Sequence, residues 1–141
     1  MIDFFIRDFG LQAINVNNNA GANYSFAIGT PPPPTVGWAN LQWPPSGAID
    51  VGQSYNVYGQ IYITGVTDAA GQGAEVQAWV GYSTMDTDPS TWTHWVPATF
   101  NTDVGNNDEY MADLGAAGIG AGTYYYATRY QYQNQAYVYG G

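Results

Sequence analysis

The 141-residue sequence contains no cysteine and no lysine, and it has only two arginines and one histidine. Without cysteine the chain forms no disulfide bond and no thiolate metal site, and the redox compartment stays undecided. The single histidine, His94, has no cysteine or serine partner in a nucleophile pattern, so neither a catalytic triad nor a histidine metal site is indicated. We interpret His94 as a solvent-facing strand residue.

Positive charge is nearly absent. Arg7 and Arg129 stand against eleven acidic residues, which gives a formal net charge of −9. Lysine and arginine are the residues that contact phosphate, so nucleic acid and anionic membrane surfaces are poor partners. No apolar run reaches the roughly 18 residues of a membrane-spanning helix, which predicts no membrane insertion. The amino terminus lacks a cationic region followed by an apolar one, so no signal peptide is visible.

What the sequence has in abundance is two-residue alternation, clearest in residues 52–64, GQSYNVYGQIYIT. Val57 and Ile61 fall on one side of an extended strand, and Tyr58 and Gln60 fall on the other. β-Branched and aromatic side chains with a period of two indicate a strand inside a sheet. We expect this strand to organise the fold and the later strands to pack against its apolar side.

Further strands separated by turn signals surround this one. They are predicted at residues 38–43, 75–83, 92–100, 109–114, 123–132 and 137–139. Pro97 interrupts one of them, which indicates a sheet edge or a bulge. Helical periodicity is missing from residues 36–139, so we predict an all-β, antiparallel sandwich there. The side chains expected in its core are Val57, Ile61, Val80, Tyr124 and Tyr126.

Tyr124 follows a glycine-rich turn at the start of the predicted strand 123–132. Sandwich folds keep a tyrosine corner at this place, in which the tyrosine hydroxyl bonds back to the preceding turn. Tyr126, two residues further on, takes the inward position that antibody domains give to a cysteine. This pattern supports the sandwich prediction.

Residues 1–30, which we call the arm, differ from the rest of the chain. Four prolines at 31–34 follow the arm; they favour polyproline II and act as a stiff spacer. We therefore predict an arm (1–30), a linker (31–35) and a sandwich (36–141). Apolar side chains alternate twice in the arm, at Ile2, Phe4 and Ile6 and again at Tyr24, Phe26 and Ile28. The first set also fits a helical face, so periodicity leaves its structure open.

From Trp38 onward the sequence resembles an immunoglobulin-like module of secreted bacterial proteins. The stretches that carry the resemblance are GWANLQWP (37–44), YNVYGQIYITGVTDAAGQG (55–73), AWVGYS (78–83), WVPATFNTDVGNNDEYMA (95–112) and GTYYYATRYQY (122–132). In the same stretches it is similar to accessory modules of amylopullulanases and to segments of large cell-surface proteins. The resemblance implies an immunoglobulin-like fold over residues 37–139, an extracellular or cell-surface location, an accessory or structural role and no catalytic residues.

Two properties of the chain depart from that module. The arm has no counterpart in it, and the module usually continues past the equivalent of residues 137–139 into a closing strand. A sandwich that lacks its last strand exposes an unpaired edge and an open groove. An apolar arm and such a groove are the two halves of strand donation between copies. We therefore predict a homopolymer, the structural subunit of an extracellular, pilus-like bacterial filament. The candidate donor residues are Ile2, Phe4 and Ile6, or Tyr24, Phe26 and Ile28.

Two other functions stay open. One is a virion or fibre structural protein. The other is a carbohydrate-binding accessory module of a secreted enzyme, because exposed aromatic rings stack on sugar rings. The residues that would stack on sugars are Trp79, Tyr82, Trp92 and Trp95. The alternative for these four is the core, since burying one aromatic ring removes roughly 150–250 Å² from water.

A dense set of oxygen ligands, Asp103, Asn106, Asp108 and Glu109, lies in and beside a predicted loop at 103–108. Ca²⁺ binds such oxygens, but the spacing is not that of an EF-hand. A turn that caps itself through side-chain-to-backbone bonds explains the same residues. We favour the turn, and predict neither a bound metal nor another cofactor.

Two weaker motifs complete the sequence. Asn23 opens an Asn-Tyr-Ser sequon, which makes it a glycosylation candidate. Paired acids such as Asp86 and Asp88 stand on turns with no apolar pocket implied, so glycosidase chemistry is not indicated. The chain is therefore not predicted to be an enzyme.

Overall fold

The computed structural model describes residues 23–141. Contacts divide the chain into two units, Met1–Pro33 and Pro34–Gly141. In the first unit, the described residues 23–33 contain no helix or strand and are exposed. Tyr24, Phe26 and Ile28 expose 60%, 70% and 85% of their surfaces. The other donor candidates, Ile2, Phe4 and Ile6, lie outside the described residues.

The second unit consists of strands and two single-turn 3₁₀ helices. The strands are β1 (Trp38–Trp43), β2 (Asn56–Tyr62), β3 (Val76–Ser83), β4 (His94–Val104), β5 (Asn107–Asp113), β6 (Tyr125–Tyr132) and β7 (Val138–Gly140). The 3₁₀ helices are Pro89–Thr91 and Leu114–Ala116. Every strand pair is antiparallel. The prediction of an all-β, antiparallel fold is confirmed.

The strands follow the order β1-β2-β5-β4-β3-β6-β7. β4 joins two layers, because its residues 94–98 pair with β3 and its residues 99–104 pair with β5. Pro97 lies opposite Trp79, in the part of β4 that pairs with β3 alone. This placement agrees with the sheet edge expected for a proline within a strand. The bulge in β4 falls elsewhere, between Phe100 and Thr102.

The two ends of this strand order, β1 and β7, meet along a seam. The backbone oxygen of Asn40 accepts hydrogen bonds from Thr128 Oγ1 at 2.8 Å and from the Tyr130 hydroxyl at 3.1 Å. A Cβ at Gly140 would lie 2.4 Å from the Asn40 carbonyl carbon, so only glycine permits this approach. Just after the end of β1, the backbone oxygen of Pro44 accepts a hydrogen bond from the Tyr126 hydroxyl of β6. The seven strands thus form one nearly closed sheet.

The β1–β7 seam corrects one prediction. We expected an open groove where a closing strand beyond residues 137–139 is missing, yet β7 pairs with β6 and Gly140 of β7 packs directly against Asn40 of β1 at this edge. Side-chain hydroxyls from β6 then bridge directly to β1. The groove is therefore absent from this seam within residues 34–141.

The core lies between the two layers and follows the predicted alternation. Val57 and Ile61 are fully buried, and Val80 is 1% exposed, as predicted. Tyr130 is the largest fully buried side chain, and it needs Gly59, because a Cβ there would lie 2.2 Å from the Tyr130 hydroxyl oxygen.

Tyr124 and Tyr126 are only half-buried, so their predicted full burial is wrong. They line a cleft of ≈ 460 Å³ at one end of the sandwich. The predicted tyrosine corner is nevertheless confirmed, because the Tyr124 hydroxyl donates to the backbone oxygen of Gly120 at 3.0 Å. Tyr126 points inward as predicted, and its hydroxyl lies 2.9 Å from that of Tyr55.

Candidate functional site

The layer formed by the first half of β4 with β3, β6 and β7 has an outer surface rich in aromatic residues. Val76, Ala78 and Val80 of β3 point into the core, so Trp79 points outward. Trp79 is the cross-strand partner of Arg129 on β6. Arg129 is in turn the partner of Tyr139 on β7. Strand register thus places an arginine in the middle of the outer surface.

Arg129 is enclosed by aromatic rings. Its guanidinium carbon lies 4.0 Å from the ring centre of Tyr137, 4.4 Å from that of Trp95 and 4.7 Å from that of Trp79. All three distances fall within the roughly 6 Å at which cation–π attraction acts. Its Nε is buried and has no hydrogen-bond partner among residues 23–141. Cation–π contacts with the three rings therefore stabilise the charge of Arg129 in place of an ion pair with a carboxylate from the described part of the chain.

The rings also pack on one another. We call the whole set the aromatic layer: Trp79, Trp92, Trp95, Arg129, Tyr137 and Tyr139. Trp79 and Tyr137 meet edge to face at 5.7 Å. Trp95 lies 6.2 Å from Trp92 and 5.9 Å from Tyr139. Such aromatic pairs contribute roughly 0.5–1.5 kcal/mol beyond the area that they bury.

Backbone and hydrogen-bond contacts hold the tryptophans in place. The Trp92 indole N–H donates to Thr87 Oγ1, and the Trp95 indole N–H donates to the backbone oxygen of Trp92, both at 3.1 Å. Gly81 makes room for Trp95, because a Cβ there would lie 2.6 Å from Cε3 of the indole. The rings of Trp92 and Trp95 are therefore held in position in the absence of a ligand.

Three of the four predicted sugar-stacking residues come together here. Trp79, Trp92 and Trp95 are half-buried on the outer surface, so they belong neither to the core nor to freely exposed positions. Tyr82 does not join them. It lies on the inner side of β3, lines the end cleft and stacks on His94 with ring centres 5.0 Å apart. His94 is exposed, as predicted.

The sequence prediction missed Arg129, Tyr137 and Tyr139. The available signal was the alternation of side chains along β6. Tyr130 and Tyr132 point inward, so Arg129 must point outward. Alternation within β6 alone does not show which side chains of other strands lie beside Arg129. That depends on the register of β6 against β3 and β7.

Two of the acidic candidates, Asp103 and Asp108, bind the loop at residues 68–73. Asp108 is fully buried, and its Oδ2 accepts from the Gly73 N–H at 2.7 Å. The Asp103 carboxylate accepts from the Gly71 N–H at 2.9 Å. Burial raises the pKa of Asp108, while the bond from Gly73 opposes this shift. These two carboxylates therefore clamp the loop at residues 68–73.

This arrangement modifies the predicted self-capping turn. β4 and β5 run through the predicted loop 103–108 and leave only Gly105 and Asn106 as the turn. The backbone oxygen of Asn106 accepts from Thr67 Oγ1 at 2.9 Å, and Glu109 lies on the outer surface of β5. Within residues 23–141 no group of three or more histidine, cysteine or acidic residues is placed to hold a metal ion.

Two further observations concern the surface. Asn23, the glycosylation candidate, is exposed, and its modification stays a prediction. In the described part of the chain, no helix has both the length and the apolar character needed to cross a membrane.

Comparison with known proteins gives one match. An amylopullulanase of Thermoanaerobacter thermohydrosulfuricus is 30% identical to the chain over 123 aligned residues. The alignment covers 74% of this chain but only 8% of the amylopullulanase, so the chain corresponds to a small part of that protein. No family model matches the chain. No solved structure matches it significantly either.

Proposed function

We propose that the chain is a non-catalytic accessory module of a secreted protein and that it binds a neutral polysaccharide through the aromatic layer. The observation that carries this proposal is the set of three tryptophans fixed on one outer surface. Aromatic ring faces stack on the C–H faces of sugars. Rings whose rotamers are already locked lose little conformational entropy when a ligand binds.

An immunoglobulin-like fold is part of the proposal. The constant-type immunoglobulin domain has seven strands, in the orders ABED and CFG. The orders β1-β2-β5-β4 and β3-β6-β7 correspond to these when the strands are lettered along the chain. The tyrosine corner at Tyr124 supports the same fold. The shared strand β4 and the β1–β7 seam are the departures from it.

Arg129 gives the aromatic layer a polar centre. No carboxylate pairs with it within residues 23–141, so its outward N–H groups are donors for sugar hydroxyls. A layer with one delocalised cation and five rings favours neutral hydroxyl-rich ligands over apolar ones. The module's overall charge of −9 disfavours acidic polysaccharides.

Affinity electrophoresis tests this function. Gels that contain pullulan, soluble starch or chitin oligosaccharides are the probes, since the name amylopullulanase points to the first two. We expect retardation of the native protein and at least a ten-fold loss of affinity for Trp92→Ala with Tyr137→Ala. The matched control is Tyr125→Ala, which removes a 43%-exposed tyrosine of β6 outside the layer. No retardation by any of these glycans would overturn the proposal.

Assembly through the arm is the second candidate function, a filament built from copies of this chain. One observation favours it: Tyr24, Phe26 and Ile28 alternate and are all largely exposed. The filled β1–β7 seam argues against insertion there, so a donated strand would have to displace β7. Electron microscopy of the intact protein and of a chain lacking residues 1–30 tests this. Fibres from the intact protein alone support donation, whereas fibres from both or from neither contradict it.

A further inference from the structure

The opposite outer surface, that of β1, β2 and β5 with the second half of β4, carries a different arrangement. Strand register pairs Trp38 with Tyr62 and Trp43 with Tyr58. Val57 and Ile61 of β2 point into the core, so Tyr58 and Tyr62 point outward, and their partners share that side. Two aromatic pairs therefore stand at separate places on one surface.

The tryptophans of these pairs are open to solvent. Trp38 is 46% exposed and Trp43 is 60% exposed, and both tyrosines are half-buried. Trp38 and Trp43 stand at the two ends of β1, which places them about 17 Å apart at ~3.3 Å per residue. That separation is longer than one sugar ring.

A row of polar side chains starts at Gln60, which lies between Tyr58 and Tyr62 on β2, and crosses the sheet through β5 to β4. The Asn107 amide donates to Gln60 Oε1 at 3.1 Å, and the Gln60 amide donates to Glu109 Oε2 at 3.4 Å. The Asn101 amide donates to Glu109 Oε1 at 2.8 Å. Gln60 itself is only 6% exposed. These bonds fix the amides and the carboxylate in position without using all of their donors and acceptors.

We propose that this surface is a second binding site for a neutral polysaccharide chain, which we call the polar-row face. Sugar rings stack on Trp38 and Trp43 along β1, and hydroxyl groups of sugar units that extend across the sheet bond to Asn107 and Glu109 on β5 and to Asn101 on β4. Hydroxyls both donate and accept, so they match a row that contains amide donors, amide acceptors and one carboxylate. The one arginine within residues 23–141 lies in the other layer, so phosphate or another anion has no cation here.

This inference rests on the proposed function and extends it, because the two binding faces lie on opposite layers of one sandwich. A single module then contacts two polysaccharide chains or two segments of one chain. Simultaneous binding at two sites raises overall avidity by roughly 10²–10⁴ when geometry allows both contacts. The length of the face predicts preference for oligosaccharides of several rings over monosaccharides.

Isothermal titration with pullulan-, starch- and chitin-derived oligosaccharides tests the second face. The native protein should bind with a stoichiometry of two. Trp38→Ala with Trp43→Ala should leave one site, that of the aromatic layer, and Trp92→Ala with Tyr137→Ala should leave the other. Tyr125→Ala should retain both sites.

Glu109→Gln keeps the side-chain shape and serves as a second variant if the double tryptophan variant fails to fold. It should weaken only the polar-row site, by about ten-fold. If both the tryptophan variant and Glu109→Gln titrate like the native protein, the second face is wrong and the proposed function stands. If the native protein binds none of these glycans, the proposed function fails, and the second face fails with it.

Discussion

The two outer surfaces of the sandwich use the same kinds of aromatic residue around different centres. The aromatic layer surrounds a cation, and its rings close over Arg129 until every tryptophan in it is half-buried. The polar-row face contains amides and a carboxylate that bond to each other, and its tryptophans stay open to solvent along β1. The tryptophans around the cation are therefore more buried than those beside the polar row, and their removal should cost more stability.

The largest expected difference between the two faces is in stability. Trp95→Ala removes a ring that packs on Gly81, Arg129, Trp92 and Tyr139, and should lower the free energy of unfolding by about 3 kcal/mol. Trp43→Ala on the polar-row face should cost less than about 1 kcal/mol, because that side chain is largely exposed. Urea denaturation measures both. Equal losses would remove the distinction between the faces.

A substitution in the core, Tyr110→Phe, gives a change in stability that involves neither outer face. Burial raises the pKa of Tyr110 to about 12 from an ordinary value near 10. Because the folded-state pKa lies above the unfolded one, stability is complete below about pH 10 and falls as pH rises towards 12, by at most about 1.4 kcal/mol per pH unit. Tyr110→Phe should remove this contribution and should cost no more than about 1 kcal/mol at neutral pH, the net contribution of a typical hydrogen bond.

Alkaline melting curves check this expectation. Some alkaline loss should persist in Tyr110→Phe, because burial also raises the pKa of Tyr126 and Tyr130. The difference in alkaline stability between the native protein and Tyr110→Phe should come from the core alone, with no contribution from either outer face. An unchanged alkaline slope in the variant would contradict the assignment to Tyr110.

The centre of the aromatic layer is tested by two substitutions of one residue. Arg129→Met keeps the apolar stem and Arg129→Lys keeps the charge, but neither stacks a planar guanidinium on three rings. Each should lose about 1–2 kcal/mol of stability. Thermal denaturation measures the loss. Native stability in Arg129→Met would mean that the rings pack without the cation.

The smallest expected effect is that of a chelator. The carboxylates of Asp103 and Asp108 already accept backbone N–H groups of the loop at 68–73. EDTA should therefore leave the melting temperature unchanged and should alter neither face. A fall of roughly 10 °C would reveal a structural cation.

Local patterns in the sequence predicted what local geometry determines. Two-residue alternation identified Val57, Ile61 and Val80 as core residues. The tyrosine corner joins residues four positions apart, so a glycine-rich turn before a strand was a sufficient signal.

Long-range pairing determined what the sequence did not predict. The β1–β7 seam depends on bonds to Asn40 from residues 88 and 90 positions later, and no local pattern signals them. Arg129 became the centre of a site only through the register of β6 with β3 and β7. The predicted groove was wrong for the same reason, because strand count alone does not say which side chains fill an edge.

The most direct test uses the five tryptophans, which all lie on the two outer surfaces: Trp38 and Trp43 on the polar-row face, and Trp79, Trp92 and Trp95 in the aromatic layer. Their indole N–H signals in a two-dimensional ¹H–¹⁵N NMR spectrum report on each face separately. Titration with a pullulan-derived oligosaccharide should shift Trp92 and Trp95 and, independently, Trp38 and Trp43. A folded protein whose indole signals stay in place with pullulan, starch and chitin oligosaccharides would contradict the account.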